Sequence, residues 1–107
     1  MENGSMIRVR VHTRGNEVLV AACDAEIVGR TLREGELRLH VSSFYEGDEV
    51  TEDEFVRRLK LATIGNLVGK ATIDAARRAG LIGEDGVIWI EGVPHAQLFV
   101  IPEGEAA

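Results

Sequence analysis

The chain is poor in cysteine, in lysine and in long apolar segments. Its single cysteine, Cys23, excludes an internal disulfide, and we therefore expect a reducing, cytoplasmic environment. The longest uninterrupted apolar run, Val18–Cys23, is far shorter than the roughly 20 residues that span a membrane, so we expect no membrane partner. The N-terminus has no basic segment followed by an apolar core, which predicts that no secretory signal is present.

Recognised patterns for nucleotides and metals are also missing. There is no GxGxxG after a predicted strand, no GxxxxGK[ST] and no DxDxDG calcium loop. His12, His40 and Cys23 have none of the short spacings of a known metal site. We therefore predict no metal and no cofactor.

Positive charge is in short supply, with 12 basic residues against 18 acidic ones and a net charge of −6. Residues 1–45 hold six of each sign and residues 55–107 again six of each, so the whole excess falls in Glu46–Glu54. A broadly basic nucleic-acid-binding surface is excluded, because phosphate neutralisation needs clustered Lys and Arg. A small arginine-lined surface remains compatible with this distribution.

The size and composition predict one domain. A chain of 107 residues with 45% hydrophobic residues is long enough for one stable core and excludes general disorder. We place the domain at residues 6–102. We expect residues 1–5 to be a short flexible tail or a cloning remnant, and residues 103–107 to be a C-terminal tail.

The first part of the chain predicts a hairpin. Apolar and polar residues alternate from Ile7 to His12, and Gly15-Asn16 suits a two-residue turn before a second strand, Glu17–Cys23. This second strand is apolar on both faces, so we predict that it is central or covered on both sides. The predicted cross-strand pairs are Val11–Val20, Val9–Ala22, Arg8–Cys23 and Arg14–Glu17.

The rest of the chain predicts two helices and three more strands. We expect a turn or one short helical turn in Asp24–Gly35, a third strand at Leu37–Val41 and a loop at Ser42–Glu49. Thr51-Glu52-Asp53-Glu54 is a capping box that starts a helix with Phe55, Leu59 and Ala62 on its buried side. The apolar spacing from Ile64 to Ala79 predicts a second helix after a break at Ala62–Gly65, with Gly80 as its C-terminal cap.

Two further strands are predicted at Val87–Ile90 and Gln97–Ile101, joined by a tight connection at Gly92-Val93-Pro94. The element order is then β-β-β-α-α-β-β. This order predicts an α+β domain with a mainly antiparallel sheet and two helices packed on one face.

Three residues could form a catalytic set: His95, Asp24 and Cys23. His95 is predicted to lie on a rigid loop, where an imidazole serves as a base, a ligand or an anion contact. Cys23-Asp24 ends the predicted central strand, and the three together resemble a nucleophile with its base and orienting acid. The alternatives are a histidine that caps a backbone carbonyl and an inert core thiol, and for Cys23 we favour the latter.

Two sets of residues are candidates for binding. Asn66, Gly69, His95 and Gln97 come from two Gly-bounded polar motifs and form one surface if they converge, although close helix packing also explains the small residues around Gly69. Arg8, Arg10 and Arg38 form a phosphate patch if the third strand lies beside the first. A solvated face paired with Glu17, Glu34 and Glu36 is the interpretation that we favour for the arginines.

Several short motifs are distributed over the chain: Val20-Ala21-Ala22-Cys23-Asp24, Gly29, Arg33-Glu34-Gly35-Glu36-Leu37, Phe44-Tyr45 with Gly47, Asn66-Leu67-Val68-Gly69 and Gly92-Val93-Pro94-His95-Ala96-Gln97. On these residues the chain resembles the archaeal family numbered 424 among the domains of unknown function, over about Met6 to Ile101. This resemblance implies a small archaeal cytosolic protein and transfers no reaction.

These observations lead to three functional hypotheses. The first is a non-enzymatic binding module, accessory to RNA processing or translation, and it is favoured because no coherent catalytic set is present. The second is a small enzyme that uses His95 with Asp24 or Cys23. The third is a homo-oligomer or a subunit that covers a protein partner, as the two apolar faces of Val18–Cys23 suggest.

Overall fold

The fold is built around a hairpin whose register follows from the alternation of its side chains. In the computed structural model, which describes residues 6–100, β1 (Ile7–Arg14) and β2 (Glu17–Asp24) pair antiparallel. All four predicted cross-strand pairs are confirmed. Gly15 adopts a φ of 58° in the two-residue turn, a conformation that glycine takes without steric penalty.

The remaining elements are β3 (Thr31–Glu34), β4 (Leu37–His40), β5 (Asp48–Val50), α1 (Glu52–Lys60), β6 (Ile64–Val68), α2 (Lys70–Arg78), β7 (Val87–Ile90) and β8 (Val93–Phe99). Short 3-10 turns occupy Ala25–Ile27, Ser43–Tyr45 and Glu84–Gly86. Six strands form the main sheet in the order β5-β1-β2-β6-β8-β7. Only β2 and β6 pair in parallel among these described strands, and β3 and β4 form a separate antiparallel hairpin.

Each face of the sheet has its own core. On one face, which we call the helix face, Val20 and Leu67 pack with Phe55 of α1 and Ile73 of α2. On the other, the hairpin face, the sheet packs against the β3–β4 hairpin and the two turns near it. The buried members of the hairpin-face core are Ala21, Cys23, Ile27, Leu32, Val41, Tyr45, Val68 and Ile90.

These two cores confirm the predicted fold class, an α+β fold with a mainly antiparallel sheet and both helices on one face. They also confirm that β2 is central and covered on both sides. The apolar faces of Val18–Cys23 are thus covered within one chain, and they need no second copy to bury them.

The start of α1 and the end of α2 have the predicted caps, except that Glu54 does not complete the capping box. The Thr51 hydroxyl accepts a hydrogen bond from the Glu54 backbone N–H, 3.2 Å away, at the start of α1. The Glu54 side chain bonds Arg57 and Arg58 instead of completing the capping box. Gly80 has a φ of 77° immediately after α2, as predicted for the left-handed cap.

The predicted helix at Ile64–Ala79 is wrong in its first third. The chain does break after α1, but Ile64–Val68 is the central strand β6 and only Lys70–Arg78 is helical. A short apolar run fits both a buried strand and a helix, so its periodicity does not distinguish them. Gly65 has a packing role in the strand, because a Cβ there would lie 2.9 Å from side-chain atoms of Leu59 and Leu98.

The predicted element order also needs correction before α1. The predicted third strand is the second strand of a hairpin. Leu37–His40 pairs with an additional strand, Thr31–Glu34, through a turn that contains Gly35. The predicted loop Ser42–Glu49 contains a 3-10 turn and the start of edge strand β5. The predicted tails, residues 1–5 and 103–107, lie outside the described residues.

Candidate functional site

Asn66, His95 and Gln97 converge on the hairpin face of the sheet. Asn66 in β6 lies directly opposite Gln97 in β8, and the neighbouring pair is Val68 with His95. Val68 belongs to the hairpin-face core, so strand alternation puts Asn66, His95 and Gln97 on that same face. The structure thus brings together three of the four residues of the first predicted binding set.

His95 lies within strand β8 and not on the predicted loop. The connection before it is shorter than predicted, because Glu91 and Gly92 make a two-residue turn, with φ of 56° and 79°, and β8 begins at Val93. Pro94 is tolerated inside the sheet, where its carbonyl accepts a hydrogen bond of 2.9 Å from the Gly69 N–H.

Asn66 is held by two hydrogen bonds to its side-chain oxygen. The Tyr45 hydroxyl donates to Asn66 Oδ1 at 2.7 Å, and His95 Nε2 lies 3.2 Å from the same oxygen. Burial lowers the pKa of His95, so its imidazole is neutral near neutral pH. The contact then requires the tautomer that carries its proton on Nε2.

Sequence reasoning missed Tyr45 as a site residue. Its ring is buried, and this burial raises the pKa of its phenol to about 12. The only signal was the Phe44-Tyr45 pair of the family resemblance, which gave no role to either ring.

The loop that carries Tyr45 is fixed by the polar side chains of β1. Arg8 Nη1 donates to the Gly47 carbonyl at 3.2 Å, and Arg10 Nη1 donates to the Ser43 carbonyl at 2.9 Å. The His12 ring stacks on Phe44 with 4.4 Å between centroids. The polar alternation of β1 therefore positions Tyr45 over Asn66.

Beside Asn66 and Gln97 lies an apolar row that ends in an exposed aromatic ring. Leu19, Ile64 and Phe99 occupy matching positions in β2, β6 and β8. Leu19 and Ile64 are partly buried, but Phe99 is 84% exposed. We call Asn66, His95, Gln97 and Phe99 the amide–aromatic surface.

The predicted catalytic set is not assembled. Cys23 and His95 lie two strands apart, with Val68 between them, which corresponds to about 10 Å between strand positions. Cys23 is fully buried, and this burial raises the pKa of its thiol to about 12, so it is not a thiolate near neutral pH.

Asp24, the third member, is engaged at the start of α2. Its carboxylate accepts bonds from the Ala71 N–H at 3.1 Å, the Thr72 N–H at 2.9 Å and the Thr72 hydroxyl at 2.7 Å. Gly69, the remaining member of the binding set, lies against this carboxylate with a φ of 116°, and a Cβ there would collide with it. Asp24 and Gly69 together therefore cap a helix, with its positive dipole end on the acid.

The predicted arginine patch is divided. Arg8 and Arg10 hold the loop of Tyr45, and Arg8 also lies 3.6 Å from Glu49. Arg38 is exposed on β4, which contacts β7 at the far edge of the sheet and does not pair with β1. Of the three, Arg10 is the exposed one on the face of the amide–aromatic surface.

The histidines and the cysteine considered for a metal lie on separate elements. His12 bonds the Phe44 carbonyl, His40 bonds Thr31 on the hairpin, and Cys23 is in the hairpin-face core. Between residues 6 and 100, no three His, Cys, Asp or Glu side chains form a group that could hold a metal ion. No helix in this range has the length and apolarity to cross a membrane.

Comparisons with known proteins place the chain in a family and find one similar crystal structure. The model of a family described as "Protein of unknown function (DUF424)" matches residues 11–101, which include the whole amide–aromatic surface. The crystal structure of an uncharacterized conserved protein from Methanopyrus kandleri, an archaeon, is similar at 26% identity with a TM-score of 0.79. The alignment covers 96% of this chain and 98% of that one. No curated protein matches the chain.

Proposed function

This chain belongs to the family of proteins of unknown function DUF424, and we propose that it is a small non-enzymatic module that binds single-stranded RNA. It does so on the amide–aromatic surface, as an accessory to RNA processing or translation. The observation that carries this proposal is the position of Phe99, 84% exposed on an open sheet face beside Asn66 and Gln97.

An exposed ring next to amide side chains has the chemistry that single-stranded RNA requires. Unpaired bases stack on aromatic rings that project from a sheet, and their edges form hydrogen bonds with polar side chains. Stacking of one base contributes about 1–3 kcal/mol in such complexes. Phe99 supplies the ring, and Gln97 lies two positions before it on the same strand and face.

Arginines on the same face can contact the phosphates. Arg10 and Arg14 are exposed on β1, on the hairpin face and about 14 Å across the sheet from β8. The acidic segment that gives the chain its charge is partly neutralised elsewhere, since Asp48 and Glu54 both bond Arg58. The positive charge that we expect to face the RNA is limited to these two arginines.

The separation of His95, Asp24 and Cys23 supports a binding role over the enzyme alternative. Asp24 is used by α2, the Cys23 thiol is buried, and His95 bonds Asn66. We also propose a cytoplasmic location, which suits a chain with one free cysteine.

The test is fluorescence anisotropy with short, labelled, unstructured RNA. We expect Phe99→Ala to weaken binding by about 5- to 100-fold, the equivalent of one stacked base. The matched control is Trp89→Ala, because Trp89 is also an exposed aromatic residue, at 52%. In its strand it alternates with Ile88 and Ile90, which point to the hairpin face, so Trp89 lies on the other side of the sheet. This control should bind as the unchanged protein does.

The salt dependence is a second measurement on the same samples. Two arginines that each neutralise a phosphate predict a slope of about −1.4 for log Kobs against log salt, since single strands give about −0.7 per phosphate. The absence of binding up to high micromolar protein, or equal loss in the Phe99 and Trp89 variants, would refute the proposal.

A further inference from the structure

We propose that two copies of this chain pair through strand β7 at the edge of the main sheet, antiparallel and about a two-fold axis at Ile88. This edge is separate from the amide–aromatic surface, so the pairing does not depend on RNA binding. The free backbone groups of β7 and the side chains beside them both favour a second copy as the partner.

Pro94 determines which backbone groups of β7 point outward. It pairs with Trp89, but it has no N–H, and its carbonyl bonds the Gly69 N–H on the side of β6. Trp89 and Pro94 therefore form a non-hydrogen-bonded pair. Bonded and non-bonded pairs alternate along antiparallel strands, so Val87, two positions before Trp89, is in a non-bonded pair as well. The N–H and C=O groups of both residues point away from β8, towards the open edge.

These outward groups are free within residues 6–100. Neither Val87 nor Trp89 exchanges a backbone hydrogen bond with any described element on the outer side of β7. The next outward N–H, that of Glu91, is already used, because it donates to the Glu34 carboxylate. The edge therefore offers two N–H and two C=O groups, from Val87 and Trp89.

A second copy of β7 satisfies all of these groups at once. With the two-fold axis at Ile88, Val87 of each copy lies opposite Trp89 of the other, and each of these pairs exchanges two hydrogen bonds. An axis at Trp89 would set Val87 against Glu91, whose N–H is occupied. The free groups therefore select one register.

The side chains at this edge are apolar on both sides of the sheet. Ile88 is 48% exposed on the hairpin face, and Trp89 is 52% exposed on the other. β7 has no charge and no proline to protect it, whereas the other edge strand, β5, carries Asp48 and Glu49. In the dimer Ile88 meets its own copy and Trp89 packs beside Val87, so apolar surface on both sides leaves water.

The size of the contact predicts a weak dimer. Four residues from each copy bury less than the roughly 1,200 Å² that marks the lower limit of stable interfaces. Asp85 also lies opposite Glu91 of the second copy in this register, and like charges that face each other oppose pairing. We expect a dissociation constant of roughly 10 μM to 1 mM, which decreases as salt screens these carboxylates.

The dimer leaves both candidate RNA-binding surfaces open. Its axis is perpendicular to the sheet, so the six strands of each copy continue into one sheet and both hairpin faces lie on the same side. Phe99 lies three residues beyond Ala96, the partner of Val87, and is therefore past the end of the paired edge.

Trp89 is the single tryptophan of the chain, so its fluorescence reports on this edge. As the protein concentration rises through the expected range, its emission should shift to shorter wavelength while sedimentation velocity shows a dimer. Ile88→Lys sets two charges against each other at the axis and should abolish both changes. The matched control is Val11→Lys, at a strand position that is 47% exposed and far from β7, and it should dimerise as the unchanged protein does.

A cysteine at the axis tests the register. Ile88→Cys places two thiols in a non-hydrogen-bonded pair, with about 4.5 Å between Cα atoms, and a disulfide spans roughly 4.4–6.8 Å. The native Cys23 is fully buried and does not compete. With oxidised glutathione as the oxidant, Ile88→Cys should give a covalent dimer on a non-reducing gel, whereas Val11→Cys should not.

Three results would overturn the proposal: a monomer at every concentration up to about 1 mM, a dimer that Ile88→Lys leaves intact, or equal cross-linking of the two cysteine variants. If Ile88→Lys does not fold, as judged by near-UV circular dichroism, the cross-linking decides alone. The sign of the salt effect separates the dimer from the proposed function, because salt should strengthen the dimer and weaken RNA binding.

Discussion

The elements that cover the two faces of the sheet are held by different kinds of contact. On the helix face, α1 and α2 cover the sheet with buried apolar side chains, and Phe55, Leu59 and Ile73 have no exposed surface. On the hairpin face, the cover buries a second apolar core, and polar groups also hold it in place. The Arg33 N–H donates to the Glu91 carboxylate at 2.9 Å, and the Glu91 N–H donates to the Glu34 carboxylate at 2.6 Å.

This difference explains why the candidate site lies on the hairpin face. Where the helices cover the sheet, the buried polar side chains Asp24 and Thr72 bond each other, because a buried polar group without a partner is destabilising. Closure by loops and hydrogen bonds covers only part of the sheet, so Asn66 and His95 are partly buried and Gln97 and Phe99 reach solvent. Such residues can be held firmly and still contact a ligand.

The largest effect on stability is expected on the helix face. Phe55→Ala removes a fully buried ring between α1 and the sheet and leaves a cavity. We expect a loss of about 3–5 kcal/mol in the free energy of unfolding, measured by urea denaturation. A loss below about 1 kcal/mol would mean that the helices are not tightly packed on the sheet.

A smaller effect is expected where β2 meets α2. Asp24→Ala removes three hydrogen bonds and the negative charge at the start of this helix, and we expect a loss of about 2–3 kcal/mol in urea denaturation. The control is Asp74→Ala on the same helix, which removes only ion pairs with Lys70 and Arg77.

The control should change the free energy of unfolding by no more than about 0.5 kcal/mol, because these surface pairs contribute little. Equal losses in the two variants would show that Asp24 is no more than another surface carboxylate. The comparison thus isolates the contribution of the cap from that of helix charge in general.

The helix face is also the more predictable one. The β1–β2 register followed from a two-residue turn and a period of two, and α1 from its capping box. β6 was misassigned as helix because Ile64–Val68 is short and does not alternate regularly between apolar and polar residues, and a residue pattern without alternation does not reveal a strand. Its identity depends on partners distant in sequence, β2 and β8.

On the hairpin face, sequence alone identified Asn66, His95 and Gln97 but not what surrounds them. The bond from Tyr45 to Asn66 joins residues 21 positions apart and depends on the loop that β1 holds. Phe99 was placed in a predicted strand, and no pattern showed whether its ring is covered. Local motifs therefore indicated the polar residues, whereas their exposure and their contact with Tyr45 required the tertiary structure.

The hairpin face should contribute a pH-dependent part of the stability, because His95, a titrating side chain, lies on this face. Burial lowers the pKa of His95 below its usual 6.5, so its contribution to stability is complete above pH 6.5. It is lost as the pH falls through the pKa of the folded state. We expect the unchanged protein to lose stability on acidification relative to His95→Gln, measured as Tm across a pH series.

His95→Gln keeps an N–H donor for Asn66 without a titrating group, so the other two histidines contribute equally to both proteins. Parallel pH profiles for the two proteins would contradict the prediction. They would mean that the imidazole of His95 is hydrated in the folded state as it is in the unfolded one.

The smallest effect on stability is expected for Phe99→Ala, and it gives the sharpest contrast with Phe55. The same residue type is 84% exposed at Phe99 and 0% exposed at Phe55, so the ring of Phe99 gains little from folding. Urea denaturation should show a change within about 0.5 kcal/mol, as for other exposed positions. A loss comparable to that of Phe55→Ala would show that Phe99 belongs to a core, and the open surface would not exist. A stable variant that no longer binds RNA would instead assign the Phe99 ring to the ligand.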